Sequence, residues 1–145
     1  MDRKQFLKTC GLACFGGLAA LAVPAGCAPA KTLNSTIDGD NLVIPVSDFG
    51  DEATGYRKYI VVSNELLRFP ICVFRHSNDE YAALWMECSH MGAELQVFGD
   101  TLQCPAHGSE FSNLGAVRNG PADRALRKFP TAVENGFIKI SLKKQ

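Results

Sequence analysis

The chain has 145 residues with 15 basic and 15 acidic side chains, so its formal net charge at pH 7 is zero. This length suits one domain and leaves too little chain for a second core of ordinary size. The balanced charge gives no sign of the basic surface that nucleic-acid binding requires. An apolar fraction of 46% and a charged fraction of 21% also exclude wholesale disorder and the fibrous classes.

The N-terminal region has the pattern of an export signal. A basic start with Arg3, Lys4 and Lys8 is followed by a charge-free, largely apolar run over 9–30 that ends in small residues and prolines. The most apolar part of this run is shorter than the roughly 20 residues that a helix needs to span a bilayer. We therefore interpret residues 1–27 as a leader and expect export to the periplasmic or cell-envelope side. An uncleaved membrane anchor is the alternative.

Both ends of this leader resemble known export signals. The start, Arg3-Lys4-Gln5-Phe6-Leu7-Lys8, is similar to a twin-arginine signal, whose pathway carries proteins already folded around a cofactor. The end, Pro24-Ala25-Gly26-Cys27, resembles a lipobox, in which the cysteine is lipidated and becomes the new N-terminus. The second resemblance implies a lipid anchor at Cys27 and attachment to a membrane. The alternative is that Cys27 is an ordinary small residue near a cleavage site.

The remaining chain has the pattern of a β domain. Short runs rich in β-branched and aromatic residues alternate with turn-forming residues, and no segment has the period of a long helix. Asn135-Gly136 is a strong signal for a tight turn, and Ser77-Asn78 suits the loop of a hairpin. One helical turn is expected near 64–67. We predict an all-β fold, a small antiparallel sandwich or barrel, over 42–145, preceded by a linker over 28–41. The predicted strands are 42–46, 57–62, 70–75, 80–87, 101–104, 126–133 and 137–142.

Two cysteine–histidine pairs lie in the middle of this domain. The first pair is Cys88 and His90, and the second pair is Cys104 and His107. Thiolate and imidazole ligands suit zinc or iron–sulfur centres rather than calcium or magnesium. Both pairs follow a predicted strand, so the two loop tips can converge on one site. The ligand types leave two options open: a structural zinc site, or an iron–sulfur centre.

The residues around these pairs resemble the Rieske iron–sulfur family. The chain reads Cys-Ser-His-Met-Gly over 88–92 and Cys-Pro-Ala-His-Gly-Ser over 104–109, similar to the family signature of C-x-H followed by C-P-x-H-G-S. Gly120-Pro121-Ala122 resembles the family's third, proline-containing loop. The resemblance covers about 42–142. It implies a Rieske-like fold in which two hairpin loops form a cluster-binding subdomain.

The same resemblance implies one [2Fe–2S] cluster per chain. Cys88 and Cys104 would bind the inner iron, and His90 and His107 the outer iron near the surface. Ser109 matches the family serine whose hydroxyl donates a hydrogen bond to a bridging sulfide. The implied function is one-electron transfer between redox protein partners, as a small exported carrier or as a subunit of a larger redox complex. No catalytic residue, small-molecule substrate or nucleic acid is expected.

Three positions depart from the high-potential members of that family. Phe111 stands where those members carry a tyrosine that donates to a cysteine sulfur, and Ala93 and Ala106 stand where they carry a disulfide. We therefore predict a reduction potential in the low-to-middle part of a span of roughly −150 to +300 mV. These departures argue against a quinol-oxidising role.

One histidine and one cysteine of the predicted domain lie outside the motifs. His76 is in a polar turn and is expected to be exposed. Cys72 is in an apolar strand and is expected to be an inert buried thiol. A self-sufficient oxygenase would also need a mononuclear iron held by two histidines and a carboxylate, which His76 alone cannot supply. The alternatives to a carrier are a ferredoxin-type donor to a separate oxygenase and, less favoured, a zinc-stabilised binding module.

Overall fold

The computed structural model describes residues 30–144, so the predicted leader and Cys27 lie outside the described residues. Within 30–144 the chain forms fifteen short strands and one 3₁₀ turn (Val46–Phe49), with no α-helix. No helix in this range is long and apolar enough to cross a membrane. In chain order the strands are β1 (Thr32–Asn34), β2 (Thr36–Asp38), β3 (Asn41–Pro45), β4 (Gly50–Asp51), β5 (Gly55–Tyr56), β6 (Tyr59–Ser63), β7 (Ile71–Arg75), β8 (Tyr81–Trp85), β9 (Gln96–Phe98), β10 (Thr101–Gln103), β11 (Glu110–Ser112), β12 (Val117–Asn119), β13 (Lys128–Phe129), β14 (Thr131–Glu134) and β15 (Phe137–Ser141).

The strands pair into three main sheets. Sheet 1 has the order β1-β6-β7-β8-β13, sheet 2 has the order β14-β15-β3-β2, and sheet 3 has the order β12-β11-β10-β9. Strands β4 and β5 form a separate small hairpin. The strand pairs of the sheets are antiparallel except β1 with β6, which run parallel. The predicted all-β, largely antiparallel fold is confirmed.

Sheet 1 is buried on both faces. Ile71 and Val73 of β7 belong to the core that sheet 1 shares with sheet 2. Cys72 and Phe74, which alternate with them, belong to the core that sheet 1 shares with sheet 3. Successive side chains of a strand point to opposite faces, so a strand covered on both sides carries a continuous apolar run. The second core lies directly beneath the segments that carry the cysteine–histidine motifs.

The two predicted hairpins are present. Arg75 pairs with Tyr81 at the end of β7 and β8, and the His76 N–H donates to the Glu80 carbonyl oxygen at 2.9 Å. Strands β14 and β15 are joined by the Asn-Gly turn over 135–136, whose φ angles of 53° and 80° suit the tight turns of hairpins.

One predicted strand and the predicted linker differ in the structure. The predicted strand 126–133 is divided at Pro130 into β13 and β14, which belong to different sheets, because proline lacks the N–H that a continuous strand would need. The predicted linker 28–41 contains β1 and β2 in its described part. Leu33 and Ile37 point inward from these strands and pack against the first core, so this stretch is part of the sheets.

The predicted helical turn near 64–67 is a hydrogen-bonded turn instead. The Leu67 N–H donates to the Asn64 carbonyl oxygen at 2.9 Å, and the Leu66 N–H donates to the Asn64 side chain at 2.9 Å. The Asn64 side chain takes the Leu66 N–H, which a helix would give to a backbone carbonyl oxygen. This competition favours a turn over a helix.

Candidate metal centre

Two loops of equal length carry the cysteine–histidine pairs. Loop 1 is 88–93, between β8 and β9, and loop 2 is 104–109, between β10 and β11. The Cys88 N–H donates to the Ala93 carbonyl oxygen at 2.8 Å, and the Cys104 N–H donates to the Ser109 carbonyl oxygen at 2.8 Å. Each hydrogen bond joins the first residue of a loop to the last, so both loops are closed in the same way.

A second hydrogen bond tightens each loop at a glycine. The Gly92 N–H donates to the Cys88 carbonyl oxygen at 2.9 Å, and the Gly108 N–H donates to the Cys104 carbonyl oxygen at 3.0 Å. Both glycines have positive φ, at 74° and 80°, which glycine adopts without the steric cost that other residues pay. A Cβ at Gly92 would also lie 3.2 Å from the Glu87 carboxylate. The glycines of the motifs are therefore required by the loop backbone.

The loops separate the two kinds of candidate ligand by burial. Cys88 and Cys104 are only 2% and 3% exposed and belong to the core between sheets 1 and 3. His90 and His107 are exposed, and their ring centroids lie 5.0 Å apart in an edge-to-face arrangement. The structure thus brings all four predicted ligands to neighbouring loops, with the thiols inside and the imidazoles outside.

The surroundings of Cys104 favour its ionised form. Burial is the largest single influence on the pKa of this thiol and raises it, but the backbone N–H groups of His107 and Ala106 and the Cys88 thiol donate to the sulfur and lower it. The combined effect of these donors is larger, so the Cys104 pKa lies below its ordinary value. The thiolate is the form in which cysteine binds metal.

A third segment, 119–124, contacts both loops and is called the proline loop below. The Ala122 N–H donates to the Ser109 side-chain oxygen at 3.0 Å. The Ser89 hydroxyl donates to the Arg124 carbonyl oxygen at 2.6 Å, and the Arg124 guanidinium donates to the Ser89 carbonyl oxygen at 2.8 Å. The proline loop is therefore fixed to loop 1 through Ser89 and to loop 2 through Ser109.

The reciprocal pair of Ser89 and Arg124 was not predicted from the sequence. Ser89 lies between the two candidate ligands of loop 1 and has no local feature that indicates a partner. Arg124 follows the Gly-Pro-Ala motif of the proline loop, which is the one sequence signal near it.

Three further residues discussed in the sequence analysis, His76, Cys72 and Phe111, lie apart from the candidate ligands or beneath them. His76 is exposed in the β7–β8 turn, and Cys72 is fully buried in β7, as expected. Phe111 is fully buried in the same core as Cys88 and Cys104.

The donor set fits a two-iron cluster. No three or more His, Cys, Asp or Glu side chains of residues 30–144 surround a single ion position. A Rieske cluster has one iron held by two cysteines and one held by two histidines. The inner thiol pair and the outer imidazole pair supply these two ligand types on adjacent loops.

The Rieske [2Fe-2S] domain family matches residues 39–130, which is more than half of the chain. The chain therefore belongs to this family, and the [2Fe–2S] cofactor predicted from the motifs is confirmed. The match begins at residue 39, so β1 and β2 precede the matched region.

Curated relatives include subunits of cytochrome b6-f complexes. The cytochrome b6-f complex iron-sulfur subunit 2 of Nostoc sp. (strain PCC 7120 / SAG 25.82 / UTEX 2576) is 36% identical over 56 residues, which cover 37% of this chain and 32% of that protein. The cytochrome b6-f complex iron-sulfur subunit of Chlorobaculum tepidum is 28% identical over 57 residues, covering 38% and 32%. The chain spans about a third of the length of these relatives.

Solved structures share the fold. The plasma membrane Rieske protein PetC3 from Synechocystis PCC 6803 is 25% identical with a TM-score of 0.51, covering 58% of this chain and 86% of that chain. A chain from the complex of reduced oxygenase and oxidized ferredoxin in carbazole 1,9a-dioxygenase is 23% identical with a TM-score of 0.53, covering 71% and 93%. At that identity the second likeness concerns the fold alone.

Proposed function

We propose that this protein transfers single electrons between partner redox proteins, either as a small carrier or as a subunit of a larger redox complex. The observation that best supports this is the contact of two exposed imidazoles, His90 and His107, at 5.0 Å, beside a buried pair of cysteines. When bound, the cluster supplies reversible one-electron oxidation and reduction. The proposal assigns no catalytic residue and no small-molecule substrate to this chain.

In this proposal Cys88 and Cys104 hold one iron, and His90 and His107 hold the other. The neutral imidazoles replace two thiolates, which lowers the negative charge around the cluster and favours uptake of an electron. Because the histidines are exposed and the cysteines are buried, a partner protein can approach only the histidine side. The electron would enter and leave along the imidazole edges.

Hydrogen bonds adjust how readily the centre accepts an electron. The backbone N–H groups of Ala106 and His107 donate to the Cys104 sulfur and stabilise negative charge there. The Ser109 oxygen accepts the Ala122 N–H, so the serine's own hydrogen remains free to donate. In the cluster-containing protein that hydrogen would donate to a sulfur of the cluster. Both interactions would stabilise the reduced state and raise the potential.

We also propose that the protein acts outside the cytoplasm, with 1–27 as its leader and a lipid at Cys27. The lipobox-like sequence over 24–27 supports the anchor. Since β1 begins at Thr32, only 28–31 would separate the lipid from the folded domain. At about 3.5 Å per residue this tether is at most about 14 Å long, so the domain would stay close to the bilayer surface.

The proposed function is tested by visible and paramagnetic-resonance spectra of the purified protein before and after dithionite. We expect a coloured protein whose absorption bleaches on reduction and whose paramagnetic signal appears in the reduced state. A colourless, iron-free protein with no signal would contradict the proposal. Intact mass of the membrane fraction, with Cys27→Ser as the control, tests the lipid.

A further inference from the structure

A cleft with a volume of about 580 Å³ opens beside loop 1. Its charged lining residues, apart from the candidate ligands, are Arg68, Arg124, Arg127 and Glu87, which give three positive charges against one negative charge. The whole chain has equal numbers of basic and acidic residues, so this clustering does not reflect a generally basic protein.

Two of these arginines are held by aromatic rings rather than by carboxylates. The Arg68 guanidinium lies 5.2 Å from the centre of the Phe69 ring, and the Arg127 guanidinium lies 4.5 Å from the centre of the Phe129 ring. Among the described residues neither arginine forms an ion pair. Stacking on a ring orients a guanidinium but leaves its N–H groups available. Arg68 and Arg127 therefore offer uncompensated charge to a binding partner.

The other charges of the cleft have partners within the chain. Arg124 donates to the Ser89 carbonyl oxygen and lies 3.7 Å from the exposed carboxylate of Asp123. The Glu87 carboxylate accepts a hydrogen bond from the Trp85 indole N–H at 2.7 Å. These contacts hold Arg124 and Glu87 in place and leave Arg68 and Arg127 as the main free cations of the cleft.

We propose that this cleft docks the acidic surface of a redox partner protein. The inference rests on the proposed function, since electron transfer is what brings a partner to the histidines. His90 and Met91 form part of the cleft's wall, and the Met91 side chain is 72% exposed. A partner whose carboxylates bind Arg68 and Arg127 would therefore lie against a candidate ligand of the cluster.

The composition of the cleft favours a protein surface over a small anion. An occupant must cover the apolar Met91 as well as meet the arginines, and a protein interface commonly combines an apolar centre with charged groups around it. Free phosphate offers charge alone. Complementary charges also speed the encounter and orient the partner, which a carrier of single electrons requires.

The test uses stopped-flow electron transfer with the full, cluster-containing chain. Reduced flavodoxin, an acidic protein, donates one electron to the oxidised protein at an ionic strength of roughly 0.1 M, where the Debye length is about 10 Å and only charges close to the bound partner act strongly on it. We expect the second-order rate constant to fall about tenfold in Arg68→Gln/Arg127→Gln and to decrease with added salt in the wild type. A basic c-type cytochrome, which accepts an electron from the reduced protein, should lose no rate in the same variant.

The matched control is Arg57→Gln/Arg118→Gln, which removes the same charge from two exposed arginines that do not line the cleft. Its flavodoxin rate constant should stay within about twofold of the wild type. Equal loss of rate in both double variants would assign the effect to net charge and overturn the docking inference.

Two further outcomes separate this inference from the proposed function. An unchanged flavodoxin rate constant in Arg68→Gln/Arg127→Gln, in protein that dithionite reduces normally, would overturn the inference alone. Protein that takes up no electron from dithionite would overturn the proposed function and this inference with it. Calorimetric titration with inorganic phosphate gives the third arm: saturable binding that the double variant loses would assign the cleft to a small anion and also overturn docking.

Discussion

The backbone N–H of Ala122 donates a hydrogen bond to the side-chain oxygen of Ser109 at 3.0 Å, and both residues are buried. This bond joins the proline loop to the last residue of loop 2. Because the serine oxygen is the acceptor, its hydrogen points elsewhere and can serve the cluster. One side chain therefore couples the position of the proline loop to the charge around the proposed centre.

Ser109→Ala should lower the reduction potential and destabilise the proline loop. The potential should fall by about 60 mV, the one-electron equivalent of about 1.4 kcal/mol, for the loss of one hydrogen bond. The Ala122 N–H would be left buried without an acceptor, which costs about 1–3 kcal/mol. Redox titration and thermal unfolding measure the two effects.

Ser112→Ala is the matched control for this prediction. Ser112 is also buried, and its oxygen accepts the N–H groups of Leu114 and Ala116, at 3.3 and 3.2 Å, but it lies outside both loops. The Ser112→Ala variant should lose stability without a change in its reduction potential. Equal potentials for the two variants would exclude the proposed bond from Ser109 to the cluster.

His107→Ala should abolish the Rieske spectrum. The remaining imidazole of His90 cannot complete an iron site that requires two histidines. His76→Ala removes an exposed histidine in the β7–β8 turn and should leave the visible and paramagnetic spectra unchanged. A native spectrum in His107→Ala would contradict the ligand assignment.

The ligand motifs could be found in the sequence because each one lies within a single loop. Cys88 with His90 and Cys104 with His107 are two or three residues apart, and the glycines at 92 and 108 mark the tight turns that close the loops. The ligand types and the loop backbone both depend on residues that are close together in the sequence. No long-range contact was needed to predict them.

The features that were missed depend on contacts between distant segments. Strands β1 and β2 each partly bury one side chain, Leu33 in β1 and Ile37 in β2, and so short a pattern does not differ from that of a linker. The arginine cleft joins Arg68 to Arg124 and Arg127 across sheet 1, and nothing local relates these residues. Their proximity follows from the fold alone.

A fragment that begins at residue 42 should be less stable than one that begins at residue 30. It lacks β1, β2 and the Lys31–Asp48 ion pair of 2.8 Å, and it exposes the core side that Leu33 and Ile37 cover. The loss should be about 2–4 kcal/mol for the two side chains together, since full burial of one such side chain contributes about 1.5–3 kcal/mol and both are partly buried. Thermal unfolding of the two cluster-containing fragments measures it. Equal melting temperatures would support the interpretation of residues 28–41 as a linker.

Cys72 should resist alkylation in the native protein even in mildly alkaline solution. Burial raises the pKa of this thiol well above its ordinary value of 9.0. A raised pKa means that the thiol keeps its proton at pH 9, so the reactive thiolate is scarce. Peptide mapping after iodoacetamide at pH 7 and pH 9 should find Cys72 unlabelled unless the protein is first unfolded. Native labelling that increases between these pH values would contradict the assignment.

Phe111→Tyr should raise the reduction potential. Phe111 is fully buried in the core that contains Cys88 and Cys104, and it occupies the position at which high-potential Rieske proteins are expected to carry a tyrosine. A hydroxyl there would donate to a cysteine sulfur and stabilise the reduced state by about 60 mV, equivalent to about 1.4 kcal/mol. Phe74→Tyr, in the same core but on β7, is the control and should cost stability without raising the potential. If both variants, or neither, shift the potential in redox titration, the sulfur of a ligand cysteine does not receive this hydrogen bond.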